Sequence, residues 1–458
     1  MALGRAGVRR LPPLHPKEGV IRILIEHGEY GMLNKGDLAM LQVTVARLRA
    51  RWPQARIGAP TTAPLRLMAF CPGVEALDVG AGGDWDGAPG RAERAAARIP
   101  APALRLALEG PDRVEPRLRA ALRPLKRTVT RLRGGGGGED AGGGWWSGHP
   151  ITPIAAAATA DLVIALGGGH ITDGANGMQV LDTLRRAMDA GVPVVMLGQG
   201  IGPIEDPPLR AAAAEVLPRL DLIALREGSA GPPLLAELGV PAERVVVTGD
   251  DAIEAAHAAA RRTLGSAIGV NMRVAAYSGV GTADLDAVRA AVQRAARLRG
   301  SALVPVLVSE WPGEDRPATR HLTDGFSPTV RSARRLTPPS AVMRRVSRCR
   351  VVVTGTYHAA VFALSQGVQA VCLPRTAYYV DKFRGLADMF GAGCRIVSLD
   401  EPHFEARLDE AIAQAWTAAP FERPALLAAA RDQIERSRAA FARGAEIAER
   451  ANPALARR

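Results

Sequence analysis

The sequence predicts an α/β protein with two Rossmann-like domains that face a cleft. Short apolar runs rich in β-branched residues, such as 351–354, alternate with helical segments along most of the 458 residues. This alternation is typical of parallel strands covered on both faces. Several runs end in glycine or polar residues, as strands do at the ligand-binding edge of an open α/β sheet. The alternation stops in a helical segment near 253–264 and restarts at Ala267, so we expect two sheets.

The length of the chain also favours more than one domain. We predict an N-terminal Rossmann-like domain over 19–262, a C-terminal Rossmann-like domain over 263–401 and closing helices over 402–458. The boundary between the two domains is expected within 255–266, because the strand–helix alternation restarts just after it.

In the first domain, the strand at 21–25 is followed by a glycine-punctuated loop and an amphipathic helix at 38–52. Asp37 is placed as the N-cap of this helix. Two short strands are predicted near 55–57 and 74–79. Four later strands each end in glycine or polar residues: 161–166 before Gly167, Gly168, Gly169 and His170; 192–197 before a glycine loop with Gln199 and Gly200; 222–225 before Arg226; and 245–248 before Asp250 and Asp251.

The second domain is expected to contain a matching set of strands, at 267–270, 303–308, 351–354, 368–373 and 395–397. In the stretch 351–367, a buried strand is followed by Gly355 and a helix with His358 in its first turn. Helix N-termini at this sheet edge attract anions. Residues 311–340 are rich in Pro, Asp and Thr and predict a loop over the site, while 404–449 is helical.

Residues 82–150 form a basic, glycine-rich insertion that we expect to be peripheral. The stretch 134–144 has few side chains to bury, so we expect it to be mobile. The segment 117–133 carries leucines at helical spacing and seven Lys or Arg residues. This pattern is typical of a solvated helix packed on its own domain, or of a helix lying on anionic lipid. Pro124 favours the first interpretation.

The net charge of +12 and the pI of 10.3 indicate acidic partners, which include phosphates, an anionic membrane surface and nucleic acid. Only 4% of the residues are aromatic, and no basic stretch is interleaved with stacking aromatics. We therefore expect no nucleic-acid partner.

The four cysteines, Cys71, Cys349, Cys372 and Cys394, have no CxxC spacing, so we expect buried thiols and no metal site. The apolar run at 21–25 is too short for a signal peptide. No run approaches the roughly 20 apolar residues that cross a bilayer. We expect a cytoplasmic protein that could contact the inner face of the membrane.

Seven motifs, spread in order over about residues 21–400, resemble the polysaccharide pyruvyl transferase family. They are Asn34-Lys-Gly-Asp37, Leu166-Gly-Gly-Gly169, Gly198-Gln-Gly-Ile-Gly-Pro203, Leu225-Arg-Glu227, Thr248-Gly-Asp250, Asn271-Met-Arg273 and Tyr357-His-Ala-Ala-Val-Phe-Ala363. The resemblance implies a GT-B-like architecture. It also implies an enzyme that moves the enolpyruvyl group of phosphoenolpyruvate onto a sugar, or onto a lipid-linked glycan, of a bacterial surface polysaccharide. No cofactor is expected beyond this donor.

Two positions differ from the family pattern. Thr356 stands where members usually carry an arginine, two residues before the motif histidine, and Asp251 stands where proline is common. That arginine is expected to bind the phosphate or carboxylate of the donor, so Arg273 or Arg375 could take its place.

On this resemblance, His358 is the expected general acid/base, since a histidine with a near-neutral pKa suits proton transfer. Arg226 is the expected anion clamp, because its fork matches a carboxylate or phosphate. Structural interpretations stay open: His358 could cap or pack its helix, and Arg226 could form a strand-end salt bridge with Glu227 or a neighbour. The candidate substrate-binding residues are Asn34, Asp37, Gly168, Gly169, His170, Gln199, Gly200, Asn271, Arg273, Thr356, Tyr357, Arg375 and Lys382.

Two other functions are compatible with the sequence. A GT-B glycosyltransferase that uses a nucleotide sugar would need a carboxylate for the base and ribose in the second domain, where no clear motif is present. A non-catalytic partner in glycan assembly is the other alternative, and Thr356 keeps it open.

Overall fold

The structure is a computed structural model that describes residues 20–79, 84–85, 91–108, 154–174, 176–332, 336–453 and 455–456. The predicted basic helix at 117–133 and the predicted mobile stretch at 134–144 lie outside these residues.

The first sheet is built from seven parallel strands. They are β1 (Arg22–Glu26), β2 (Arg56–Thr61), β3 (Glu75–Asp78), β4 (Leu162–Ile171), β5 (Val194–Ile201), β6 (Ile223–Leu225) and β7 (Val245–Val247). Their order is β3-β2-β1-β4-β5-β6-β7, so β1 and β4 are neighbours at the point where the strand order reverses. Ligands bind at such a point in open α/β sheets.

The second sheet has five parallel strands. They are β8 (Ala267–Asn271), β9 (Leu303–Pro305), β10 (Cys349–Thr354), β11 (Gln369–Cys372) and β12 (Cys394–Ile396). Their order is β12-β11-β10-β8-β9. Val351, Val352 and Val353 of the central strand β10 are all buried, as expected for a strand covered on both faces.

Helices connect the strands and cover both sheets. The first half contains α1 (Lys35–Arg51), α2 (Pro64–Phe70), α3 (Arg91–Ala96), α4 (Ala101–Leu108), α5 (Gly177–Asp189), α6 (Pro207–Val216), α7 (Gly231–Glu237) and α8 (Ala252–Ala258). The second half contains α9 (Thr282–Leu298), α10 (Asp315–Thr323), α11 (Pro339–Val346), α12 (Tyr357–Leu364), α13 (Ala377–Phe390) and α14 (Phe404–Ala451).

The predicted fold class is confirmed, because the two parallel sheets are separate. The last strand of the first sheet ends at Val247 and the first strand of the second begins at Ala267. The predicted boundary at 255–266 lies in this interval, although the domain limits themselves stay predictions.

Two features join the halves. The long helix α14 packs against β5 of the first sheet and against β10 and β11 of the second. In addition, the backbone before α1 pairs with the backbone after β9. Lys35 N donates to the carbonyl of Val308 at 2.9 Å, and Glu310 N donates to the carbonyl of Leu33 at 3.0 Å.

Three local predictions were wrong. The glycines after residue 166 continue β4 through Ile171, and those after 197 continue β5 through Ile201, because neighbouring strands still pair with them. Helix α1 begins after Asn34, whose side chain accepts from Gly36 N, so Asp37 lies in the first turn and is not the N-cap.

The stretch 311–340 is not one long loop, because α10 lies within it. Pro317 is in the first turn of α10, where a missing N–H costs no hydrogen bond. Ala318 and Leu322 are buried on one face of the helix. Proline content therefore misled the sequence-based expectation for this segment.

Candidate functional site

A buried cluster of charged side chains lies where the two halves meet. His358 is in the first turn of α12, directly after β10, and is 6% exposed. Arg226 follows β6 and Asp250 follows β7 in the other half. Helix α12 begins here because Gly355 interrupts the valine-rich strand and the Ala-rich segment after it favours a helix.

One oxygen of Asp250 holds the two predicted catalytic residues together. Its Oδ2 lies 3.4 Å from His358 Nε2 and 3.5 Å from Arg226 Nη1. Its Oδ1 accepts from Ala252 N at 2.9 Å. Burial opposes ionisation of this carboxyl, but His358 and Arg226 outweigh burial and lower the pKa of Asp250. Arg226 thus forms a strand-end ion pair, as the structural interpretation allows, but its partner is Asp250 and not Glu227.

The guanidinium of Arg226 is 4.2 Å from the centre of the Tyr357 ring, which is a cation–π distance. Gly200 of β5 allows this placement, since a Cβ there would be 2.6 Å from Arg226 Nε. Gly200 and Tyr357, both predicted as site residues, thus contact the predicted clamp.

Lys382 of α13 lies beside Arg226. A Cβ at Gly169 would be 2.9 Å from Lys382 Nζ and 3.5 Å from Arg226 Nη2, so both cations approach the same point on β4. The Lys382 amine is 3.7 Å from the centre of the Tyr378 ring and hydrogen-bonds the Tyr378 hydroxyl. Burial and the nearby Arg226 lower the pKa of Lys382 well below 10.5.

A second carboxylate, Asp37, completes this cluster. Its Oδ1 is 3.7 Å from His170 Nε2, and its buried Oδ2 has no hydrogen-bond partner among the described residues. Burial raises the pKa of Asp37, and His358 and Arg226 oppose this only in part. Burial lowers the pKa of His170 well below 6.5, so this imidazole is neutral. Gly168 packs against its ring.

Asn271 and Arg273 form an adjacent network that holds the start of α10. Arg273 Nε donates to Asp315 Oδ1 at 2.7 Å, and Nη1 is 3.3 Å from the Tyr277 hydroxyl. Asn271 Nδ2 donates to Asp315 Oδ2 at 2.9 Å and to the Val306 carbonyl at 2.7 Å. Arg273 Nη2 is buried without a hydrogen-bond partner in the described parts of the chain.

The remaining predicted residues have different placements. Asn34 caps α1, and the buried Gln199 Oε1 and Thr356 Oγ1 have no hydrogen-bond partner among the residues described. Arg375 is exposed and pairs with Asp284 at 3.0 Å. Among the described residues, the Arg375 side chain makes no hydrogen bond or ion pair with the cluster.

Sequence reasoning missed three members of the cluster. Asp250 is predicted at a strand end and in a motif, and Gly36 in a motif, but neither is predicted as a site residue, and Tyr378 is not predicted at all. The signal for Asp250 was its position directly after a strand, at the same edge as Arg226. Gly36 packs so closely on the His358 ring that a Cβ would overlap it.

The cluster thus combines a histidine, an ionised carboxylate, a carboxyl with a raised pKa, an arginine and a neighbouring lysine. Two carboxyls whose surroundings shift their pKa values in opposite directions are a feature of acid/base sites. The two adjacent basic side chains fit a compact, multiply charged anion.

A sequence profile of the polysaccharide pyruvyl transferase family matches residues 34–376, most of the chain. The chain belongs to this family. The matched range includes the Asp250 cluster, but Lys382 lies just beyond it. No protein of curated function matches the sequence.

Solved structures support the fold of this pyruvyl transferase family member. UDP-GlcNAc 2-epimerase from Neisseria meningitidis, bound to UDP-GlcNAc, has a TM-score of 0.53 at 11% identity, covering 93% of this chain and 99% of the epimerase. A Listeria monocytogenes protein assigned as a UDP-N-acetylglucosamine 2-epimerase has a TM-score of 0.54 at 13% identity, covering 94% and 97%. These similarities establish the GT-B-like arrangement of two Rossmann-like domains and nothing about substrates.

In the part of the chain that the structure describes, no group of three or more His, Cys, Asp or Glu side chains is placed to hold a metal ion. No described helix is both long enough and apolar enough to span a membrane.

Proposed function

We propose that the protein transfers the pyruvyl group of phosphoenolpyruvate to a sugar of a bacterial surface glycan or its precursor. Membership of the transferase family provides the reaction class. The observation that carries the proposal is the shared Asp250 oxygen, which places an imidazole and a guanidinium side by side in a buried position. An acid/base group thereby lies next to a strong anion-binding group.

The chemistry of ketal formation requires both groups. One sugar hydroxyl adds to C2 of the donor while a proton is added to the methylene carbon C3. A second hydroxyl then displaces phosphate from C2 and closes the ketal, and its proton leaves with the phosphate. Each step needs proton transfer near neutral pH, which histidine can provide.

In this proposal His358 moves the proton and Asp250 orients its imidazole through Nε2. Arg226 binds the phosphate or carboxylate of the donor, because charge-assisted hydrogen bonds from a guanidinium fork suit either group. Asp250 keeps Arg226 in place. Its negative charge does not neutralise the whole site, because Lys382 provides a second basic group nearby.

The acceptor in this proposal is a sugar or a lipid-linked glycan, and the reaction takes place in the cytoplasm. The net charge of +12 supports anionic substrates or an anionic surface as partners.

Thermal unfolding with candidate ligands tests this proposal. Phosphoenolpyruvate at about 100 times its dissociation constant is expected to stabilise the protein by about 2.7 kcal/mol, whereas UDP-N-acetylglucosamine is expected to have no effect. Arg226→Ala should remove most of this protection. His358→Ala should retain it, because proton transfer acts in the transition state. Arg384→Ala, at an exposed arginine of α13, is the control.

Other results would favour other functions. Protection by the nucleotide sugar but not by phosphoenolpyruvate would indicate a glycosyltransferase. Absence of protection by either ligand would favour a non-catalytic role in glycan assembly.

A further inference from the structure

Lys382 and Arg226 form a pair of neighbouring basic side chains without a matching pair of carboxylates. Both approach the point that a Cβ at Gly169 would occupy, at 2.9 and 3.5 Å. Arg226 has Asp250 as its partner. For Lys382, the described residues provide one hydrogen bond, to the Tyr378 hydroxyl, and no carboxylate within ion-pair distance.

Charged and titratable groups face the Lys382 amine from several elements. They are Arg226 and Glu227 after β6, Asp37 on α1, His170 on β4, Arg273 after β8, and Tyr378 and Tyr379 on its own helix. Neither carboxyl is a strong partner for it. Glu227 accepts hydrogen bonds from three backbone N–H groups, those of Ser229, Ala230 and Gly231, at 2.7 to 2.9 Å.

Asp37 is the other carboxyl that faces the amine. Burial raises its pKa, and it too lies outside ion-pair distance of the amine. Without a bound anion, burial and the neighbouring Arg226 disfavour the charged form of the Lys382 amine and lower its pKa. A neutral amine beside the buried Arg226 avoids repulsion between two cations.

An anion bound between the two groups instead favours the charged form of Lys382. A phosphate contacting both Lys382 and Arg226 would remove their mutual repulsion and would accept charge-assisted hydrogen bonds from each. The Lys382 side chain is only partly buried, so it is accessible to a ligand.

We propose that Lys382 takes up a proton when the phosphate of phosphoenolpyruvate binds between it and Arg226. Binding of the donor is then coupled to protonation of the enzyme, with Lys382 as the acceptor of the proton. This inference rests on the proposed function for the identity of the ligand.

Calorimetry of phosphoenolpyruvate binding at pH 8.0, in two buffers with different ionisation enthalpies, measures the proton uptake. At this pH the phosphate is fully ionised, since its second pKa is about 6. The wild-type protein should take up protons when the donor binds, up to one per donor. The arginine side chain in the Lys382→Arg variant is always charged, so this variant should bind the donor without taking up a proton.

Lys382→Met should lose the uptake and bind about 10 to 100 times more weakly, the cost of a hydrogen bond to a charged group. Arg384→Met is the matched control, because it removes one positive charge from the exposed side of the same helix. It should behave as the wild type does.

The results separate the inference from the proposed function. Failure of the wild type to bind phosphoenolpyruvate would overturn the proposed function, and this inference with it. Donor binding without proton uptake would overturn the inference alone. So would full uptake in Lys382→Arg, which would assign the proton to another group, or wild-type affinity in Lys382→Met.

Discussion

The carboxylate of Asp250 links the two predicted catalytic side chains. Replacing it by asparagine removes the charge that faces Arg226 and His358 but keeps the size of the side chain. Breaking one partner of a buried ion pair costs about 3 kcal/mol or more. We therefore expect Asp250→Asn to lower the free energy of unfolding in urea by this amount at pH 7.

The difference between Asp250→Asn and the wild type should depend on pH. The pKa of Asp250 is lowered below 3.8 in the folded state. Its stabilising contribution is therefore complete above the pKa of the unfolded chain and is lost as the pH falls through the folded pKa. Asp189→Asn, in an exposed pair with Arg219, should change stability by less than about 1 kcal/mol. Equal effects of the two substitutions would contradict the structural role of Asp250.

The first turn of α1 lies against the ring of His358, and Gly36 makes this contact possible. Alanine favours a helix over glycine by about 1 kcal/mol, so Gly36→Ala would stabilise an isolated helix. In the folded protein its Cβ would overlap the imidazole. We expect a net loss of about 1 to 3 kcal/mol in the free energy of unfolding, the usual cost of overpacking.

Gly444→Ala is the matched control for Gly36→Ala. Gly444 is also helical, in α14, but a Cβ there would meet Val195 and Leu222 at 3.5 Å or more, which is ordinary contact. This variant should keep or raise the unfolding temperature. If Gly36→Ala were as stable as Gly444→Ala, α1 would not pack against His358 as described.

The two halves share one continuous hydrophobic core. It contains Ile25 of β1 and Leu197 of β5 together with Val304 of β9 and Val352 of β10. Helix α14 and the pairing of Lys35 with Val308 add further connections. We expect both halves to unfold in a single cooperative transition.

Tryptophan fluorescence can follow each half separately. With Trp145 and Trp146 replaced by phenylalanine, one variant keeps only Trp52 and Trp85, and the other keeps only Trp311 and Trp416. Coincident denaturation midpoints are expected for the two variants. Midpoints that differ by more than the experimental error, at equal overall stability, would show that the halves unfold independently.

The sequence by itself predicted the fold class and the order of the elements. The strand predicted at the valine-rich run 351–354 and the helix predicted after it are both present in the structure. The run can be recognised in the sequence because burial on both faces requires an unbroken apolar strand. The long closing helix, predicted at 404–449, is likewise confirmed. These features depend on residues close together in the chain, and local patterns record them.

The placement of polar side chains between elements was decided only by the tertiary structure. Asp250, and not the adjacent Glu227, is the partner of Arg226, and Asp315 is the partner of Arg273. Arg375, a sequence-based candidate for the donor site, pairs with Asp284. Such pairs join residues that are far apart in the chain. Which of several nearby charged residues becomes the partner depends on how the two sheets pack. Periodicity and composition carry no information about that packing, so the sequence could name most residues of the candidate site but not their partners.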